Sequence, residues 1–443
     1  MGCGPSSPSV ASNDQAGTAD TSGTNDSPTE MQTKSGRSAY RASIVSLQIP
    51  KDYTDDMSSD GMSDRSMEGE TQENSEYLCG TDVALQWLLQ RISDKLGREI
   101  EEEPQWITER LNRPSWDEDY ASSSVIRVTF GWEDEELPKS VCLKLPVSKE
   151  KREDDEGKFH YIMFKRECNV YEWTQKYPKI AAPKIFHIKR HSKETGGSGC
   201  VVMEDMGERG QQQDAFKGCS VELVRDLLKH LAQLHALSMK QTSWNTMIAD
   251  LAPSYYTYII GNYDKTMDFF ERHDVDHSRF VHISKFFTME YLHSTATESA
   301  EELQVPRALV QGEPYANNVF SYLEGSEEKV SGIIDWTECH SGCFAEDIAK
   351  AICWNLSLKD RIECTSSLLD SYHHYFTEFH TGEHPLTVDL IRKAYERFLP
   401  FAMVTLVGKV MQVRNRDDVE NLVERAKGLI QNVYTTARLM QDG

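Results

Sequence analysis

The chain has 443 residues, 39% of them hydrophobic and 27% charged, enough for two or three domain-sized units of a globular protein. Lys and Arg number 48 against 71 Asp and Glu, a formal net charge of -23. A surface of that sign repels phosphate backbones, so no nucleic acid is expected as a partner, nor a broad electrostatic footprint on anionic lipid. No stretch reaches the ~18 apolar residues of a membrane span, and no apolar core of the secretory kind stands at the N-terminus. The ten cysteines form no Cys-x-x-Cys pair; these features predict a cytoplasmic protein with reduced thiols.

Residues 1–76 are rich in Ser, Thr, Gly, Asp and Asn. They cannot bury enough surface to offset ordering entropy, so a disordered tail is expected. Its acidic, Ser-dotted second half, 52–76, reads either as a solvated tail or as a linker regulated by phosphorylation. At its head, Gly2 with Ser6 four positions later fits the N-myristoylation pattern, and Cys3 beside it is placed to take palmitate. Two acyl chains hold a protein to a membrane where one holds it marginally; the competing reading is a chance match in a Gly/Ser-rich segment.

From Tyr77 apolar periodicity begins. Val83, Leu85, Leu88, Leu89, Ile92 and Leu96 predict a helix over 81–96, stopped by Gly97. Strands are expected over 125–130 and 141–145 around an acidic turn at 133–136. The charge run 148–158 reads as a solvated loop, followed by a helix to about Gln175 and strands near 184–189 and over Cys200–Glu204. Beyond that the pattern turns helical: Val221, Val224, Leu227, Leu228, Leu231 and Leu234 make one buried stripe behind a Ser220 cap. Helices dominate again from Ala345. Strands first and helices after predict an α+β protein of two lobes, a strand-rich one over 77–205 and a helical one over 206–443.

The chemistry concentrates in Val310-Gln311-Gly312-Glu313-Pro314-Tyr315-Ala316-Asn317-Asn318 and Gly332-Ile333-Ile334-Asp335-Trp336. A carboxylate, an amide five residues on, and an Asp closing a short apolar strand form a phosphoryl-transfer arrangement. Glu313 would orient or deprotonate an attacking hydroxyl. Asn318 and Asp335 would hold Mg2+, a hard cation that takes oxygen ligands and bridges nucleotide phosphates.

These segments resemble the CHK kinase-like (ecdysteroid kinase-like) group, particularly its nematode branch, within the aminoglycoside phosphotransferase and choline kinase superfamily. That family reads His-Gly-Asp-Leu-Trp-x-x-Asn, then Ile-Ile-Asp-Trp/Phe-Gln and Gly-x-x-x-x-Asp-Leu. Its counterparts here are the 311–318 segment, Ile333-Ile334-Asp335-Trp336-Thr337, and Gly342 with Asp347. His235-Ala236-Leu237-Ser238 matches the family's His-Ala-Leu-Ser. The resemblance runs from about Cys79 to the C-terminus. It implies a bilobal protein-kinase-like fold, ATP with Mg2+, and a small-molecule alcohol as acceptor.

Carried upstream, the resemblance places Lys144 on the nucleotide phosphates. If Leu143 and Leu145 face the core, Lys144 faces the cleft. Glu167 would be its ion-pair partner, with Tyr171 one turn later on the same helix face. Met203, Glu204 and Asp205 would form a hinge whose backbone meets adenine. A phosphate-covering loop is expected over 119–124, with Ser122 and Ser123 where the family usually has glycine. Asp347 would brace the catalytic loop, and His235 reads as a satisfied core histidine.

The chain departs from the pattern at its centre. Glu313 stands for the family's Asp, Gln311 for its His, and Pro314 with Tyr315 for Leu-Trp. The extra methylene moves a carboxylate by ~1 Å, a displacement that can cost about 10²-fold. Gln311 can bond backbone but cannot titrate. Two functions therefore stand: a small-molecule kinase, or a weak or inactive pseudokinase that binds nucleotide as a scaffold, membrane-tethered if acylated. The absence of Asp-Phe-Gly and Ala-Pro-Glu segments disfavours a protein kinase. His340 beside Cys339 and Cys343 reads as packing. Tyr255, Tyr256 and Tyr258 read as acceptor-pocket lining or as packing.

Overall fold

The computed structural model describes residues 77–442 other than 101–102, 112–122, 147–154, 191–198, 249, 383–385 and 414–418. Gly2, Cys3, Ser122 and the tail expected over 1–76 lie outside the described residues.

Helix α1 (Leu85–Leu96) begins later than the periodicity implies. Thr81 donates its hydroxyl to Leu78 O at 2.7 Å and accepts from Val83 N at 3.1 Å, so a tight turn occupies the residues before it. Gly97, at φ 66, ends it by returning its N–H to Ser93 O.

Then come β1 (Trp106–Arg110), β2 (Ser123–Phe130), β3 (Ser140–Pro146), helix α2 (Asp155–Thr174), β4 (Ile185–Lys189) and β5 (Cys200–Glu204). The strands form one sheet in the order β1-β2-β3-β5-β4, with each pairing antiparallel. The helix expected after the charge run starts inside it, at Asp155. Likewise β2 begins at Ser123, two residues ahead of the expected strand.

Strand alternation divides the lobe into two cores. Val141, Leu143 and Leu145 join Ile126, Val128, Val202 and the buried face of α1. On the other face, Cys142, Val201 and Met203 join α2 and the large core that continues into the helical lobe. With both faces covered, β3 is apolar at nearly every position. Lys144 is the one charged residue in it, and it points to the second face.

The second lobe starts with the short β6 (Gln211–Gln212) and helix α3 (Val221–Lys240), whose Ser220 cap accepts from Leu223 N at 3.1 Å. Next come α4 (Pro253–Ile260), α5 (Tyr263–Glu271), α6 (His277–Ile283) and α7 (Met289–Glu302). Four short strands follow: β7 (Ala308–Val310), β8 (Val319–Glu324), β9 (Glu327–Ile333) and β10 (His340–Gly342). They make two small sheets, β6-β8-β9 and β7-β10, that frame the 311–318 segment. Helices α8 (Ala345–Asn355), α9 (Leu358–Phe379), α10 (Val388–Met411) and α11 (Glu420–Asp442) complete the chain. An antiparallel sheet braced by one long helix, followed by a helical lobe around a framed loop, is a bilobal protein-kinase-like fold. No described helix is long and apolar enough to cross a membrane.

Candidate active site

The loop between β7 and β8 is clamped by helix α8. Asp347, buried in the first turn of that helix, accepts from Gln311 N at 2.7 Å and Gly312 N at 2.9 Å. His235 Nε2 lies 3.0 Å from the same carboxylate and its Nδ1 lies 2.8 Å from the Tyr372 hydroxyl, so this histidine is a brace inside the core. At the far end of α8, Asn355 donates to Pro314 O and accepts from Ala316 N, both at 2.8 Å. Between them, Lys350 Nζ donates to Gly312 O at 2.6 Å and to Glu346 at 2.8 Å. Gly312 itself sits at φ 92, and a Cβ there would fall 2.5 Å from Glu338 O. Only glycine fits.

The Gln311 side chain joins this loop to the next motif. Its oxygen accepts from Glu313 N at 2.8 Å and its amide donates to Asp335 O at 3.0 Å. Asp335 adopts φ 59, a conformation that costs ~1–3 kcal/mol and that collects at functional sites. Its Oδ1 accepts from Thr337 Oγ1 at 2.8 Å and from Lys144 Nζ at 3.1 Å.

Lys144 is buried, and its ammonium also lies 2.8 Å from the Glu167 carboxylate. Glu167 accepts from the Tyr171 hydroxyl at 3.1 Å and from Trp336 N at 3.2 Å. Burial pushes the Glu167 carboxyl above its ordinary value and Lys144 opposes the rise. Asn318 donates Nδ2 to Glu313 O at 3.1 Å, while its buried Oδ1 has no hydrogen-bond partner. The backbone bond from Ile334 N–H to Asn318 O, 2.9 Å, ties this residue to the strand that leads into Asp335, and a buried acceptor oxygen without a donor suits a hard oxygen-seeking cation.

Glu313 does not stand alone. Its carboxylate forms an ion pair with Lys409 in the last turn of α10, and the Lys409 ammonium also lies 3.9 Å from Glu338. Burial, reinforced by Glu313, pushes the Glu338 carboxyl up to about 8. Burial alone would lower Lys409, but Glu313 and Glu338 outweigh it and raise its affinity for the proton. Tyr255 hydrogen-bonds Glu338 from α4, whereas Tyr256 is packed in the core and Tyr258 is exposed.

The remaining expected residues are placed as follows. Met203 lies inside the β5 ladder opposite Cys142, and the Glu204 N–H is already given to Lys184 O at 2.8 Å. The Asp205 carboxylate binds Arg127 Nε at 2.6 Å, Ser140 Oγ at 2.8 Å and Gly207 N at 2.9 Å. Burial would raise that carboxyl, but these donors hold it below the ordinary range. Asp205 therefore shapes the turn between the lobes with its side chain. Ser123 pairs with Pro146 as the first residue of β2, so it belongs to the strand and not to a loop. His340 lies 2.8 Å from Glu338 O and 3.2 Å from Glu346.

Motif reading passed over Lys350, Glu338, Asn355 and Lys409. A signal for Lys409 was present: it is the one charged side chain between Phe398 and Gln412 in an otherwise apolar helix end.

Fold and site together define a two-lobed kinase-like protein with a buried Lys–Glu–Asp cluster between sheet and loop. The chain belongs to the family DUF1679, described as "Uncharacterized oxidoreductase dhs-27", which it matches over residues 121–442. No curated protein matches it. Among solved structures it is similar to a choline kinase from Cryptosporidium parvum Iowa II, at 12% identity over 76% of this chain and 89% of that one, TM-score 0.47. It is similar to the Plasmodium vivax ethanolamine kinase, at 13% identity over 75% and 84%, TM-score 0.41. A third is the GDP complex of aminoglycoside 2'-phosphotransferase-IIIa, at 13% identity over 78% and 97%, TM-score 0.44. At such distances the chemistry has to be read from this chain's own side chains.

Proposed function

We propose that the protein is an ATP-dependent phosphotransferase acting on the hydroxyl of a small molecule. Within the choline kinase and aminoglycoside phosphotransferase superfamily, the resemblance of its motifs supports the CHK kinase-like group and that group's nematode branch. One observation carries the reading: Lys144 from β3 meets Glu167 from α2 and Asp335 from the segment after β9 within 3.1 Å, although Asp335 lies 191 residues away in sequence. A strand lysine held by a helix glutamate beside a metal-binding aspartate is the nucleotide end of kinase chemistry.

In that reaction Lys144 holds the nucleotide phosphates, and Glu167 with Tyr171 holds Lys144. Glu313 accepts the proton of the acceptor hydroxyl as its oxygen bonds the γ-phosphorus and the bond to the ADP oxygen breaks. Gln311 keeps the Glu313 backbone in register with Asp335. The Asn318 Oδ1 and the Asp335 carboxylate are the groups that would hold Mg2+, which neutralises phosphate charge when bound.

The family description speaks of an oxidoreductase. The described sheets support a different chemistry, because their strands pair antiparallel throughout, whereas the dinucleotide-binding fold of hydride-transfer enzymes is a parallel βαβ sheet. The second reading, a nucleotide-binding scaffold with little turnover, draws on the ion pair that engages the Glu313 carboxylate.

The experiment is γ-phosphoryl transfer from labelled ATP into a fractionated pool of small-molecule alcohols, with Asp335→Ala as the blank. Label in an organic product that requires Asp335 supports the kinase. Retained ATP binding with no transfer favours the scaffold, and neither binding nor transfer removes both.

A further inference from the structure

We propose that Lys409 is the positioning residue of the Glu313 carboxylate, so that Glu at 313 and Lys at 409 form one matched unit. The inference rests on the phosphotransferase reading for its catalytic meaning, while the pairing itself can be measured without it.

Helix α8 fixes the backbone of the 311–316 loop through Asp347, Lys350 and Asn355. None of these contacts touches the Glu313 side chain. Its carboxylate is gripped instead by α10, which comes close to α4 at Gly408, where a Cβ would fall 2.5 Å from Ile259 O. That close approach fixes where the next residue, Lys409, can reach. A buried ammonium costs free energy unless it is paired. Lys409 lies in the apolar end of its helix and has Glu313 and Glu338 as carboxylate partners. An Asp at 313 would be one methylene short of this ammonium and would leave it to Glu338. The departure at 313 is thus answered by a residue 96 positions along the chain that motif comparison never examines.

The test uses the full chain. Lys409→Met removes the ammonium and keeps most of the stem. Given a transferring wild type, we expect kcat to fall by about 10²-fold with KM for ATP moved less than about twofold, as for a misplaced reacting group. Lys409→Arg should recover about tenfold of that loss, and Glu313→Asp should lose a similar factor. Combining Glu313→Asp with Lys409→Met should be no worse than the poorer single variant, because neighbours acting as a unit are not additive. A kcat for Lys409→Met within about threefold of wild type, or losses that multiply, overturns the proposal.

If the wild type transfers nothing, the phosphotransferase reading falls, and the pairing is judged by urea denaturation. Non-additive destabilisation by Lys409→Met and Glu313→Gln upholds it; additive losses overturn it. Should Lys409→Met not fold, the same comparisons are made in a Glu338→Gln background, which removes the surplus carboxylate.

Discussion

Position 312 has no room for a side chain, and the carboxylate at position 347 holds three partners. Gly312→Ala would place a methyl against Glu338 O while forcing a positive φ on alanine. We expect a loss of about 2 kcal/mol or more, read as a lower urea midpoint. Asp347→Ala would strip the partner from two loop N–H groups and from His235 in a buried site. With ~1–3 kcal/mol for each unsatisfied group, a loss of about 3 kcal/mol or more is expected in the same measurement. Glu338 gives a pH signature. Its folded carboxyl, pushed from 4.5 up to about 8, keeps a proton that the unfolded chain has released. Stability should therefore fall as pH rises from about 4.5 towards 8 and level off above, by linkage. Glu338→Gln should flatten that slope in thermal melts taken across the window. Glu346 works in the opposite sense, since Lys350 and His340 overcome its burial and hold it at about 2, so its contribution is lost as pH falls from 4.5 towards 2.

Among elements, β3 and α2 matter most to the site, because each contributes one side chain to the buried Lys144–Glu167 pair. Lys144→Met should abolish measurable ATP binding in calorimetry and, by leaving Glu167 buried without its cation, cost about 3–5 kcal/mol in urea denaturation. The Ser220 cap of α3 is a plainer test: Ser220→Ala should cost about 1 kcal/mol in chemical denaturation. Element boundaries show what periodicity can and cannot carry. The buried stripe of α3 was visible at helical spacing, and alternation in β3 assigned the two faces of Leu143 and Lys144. Thr81 bonding back to Leu78 delayed α1, a local side-chain effect that competes with the helix. Helix α2 starts within the charge run, because Glu and Lys are good helix formers and a run of charge does not by itself end a helix. The short strands β6, β7 and β10 carry too few residues to show a period at all.

At the scale of the molecule, the site is a junction: the sheet supplies Lys144, the helical lobe supplies Asn318 and Asp335, and a nucleotide bound there would tie the two together. Magnesium ATP at a hundred times its Kd should then stabilise the chain by about 2.7 kcal/mol, seen as an upward shift in Tm that disappears in Asp335→Ala. What the sequence carried by itself was the order of strands then helices, from local period, and Glu313, Asn318 and Asp335 as candidates, from residue types at fixed spacing; Lys144 and Glu167 were pointed to by the resemblance to the CHK kinase-like group. The geometry among them was decided only by tertiary structure. Gln311 bridging to Asp335, Asp347 gripping the loop, Asp205 turned to Arg127, and Lys409 drawn to Glu313 join residues far apart in sequence. Such contacts depend on how helices and sheets pack, and packing is a property of the whole buried core that no short stretch of chain contains.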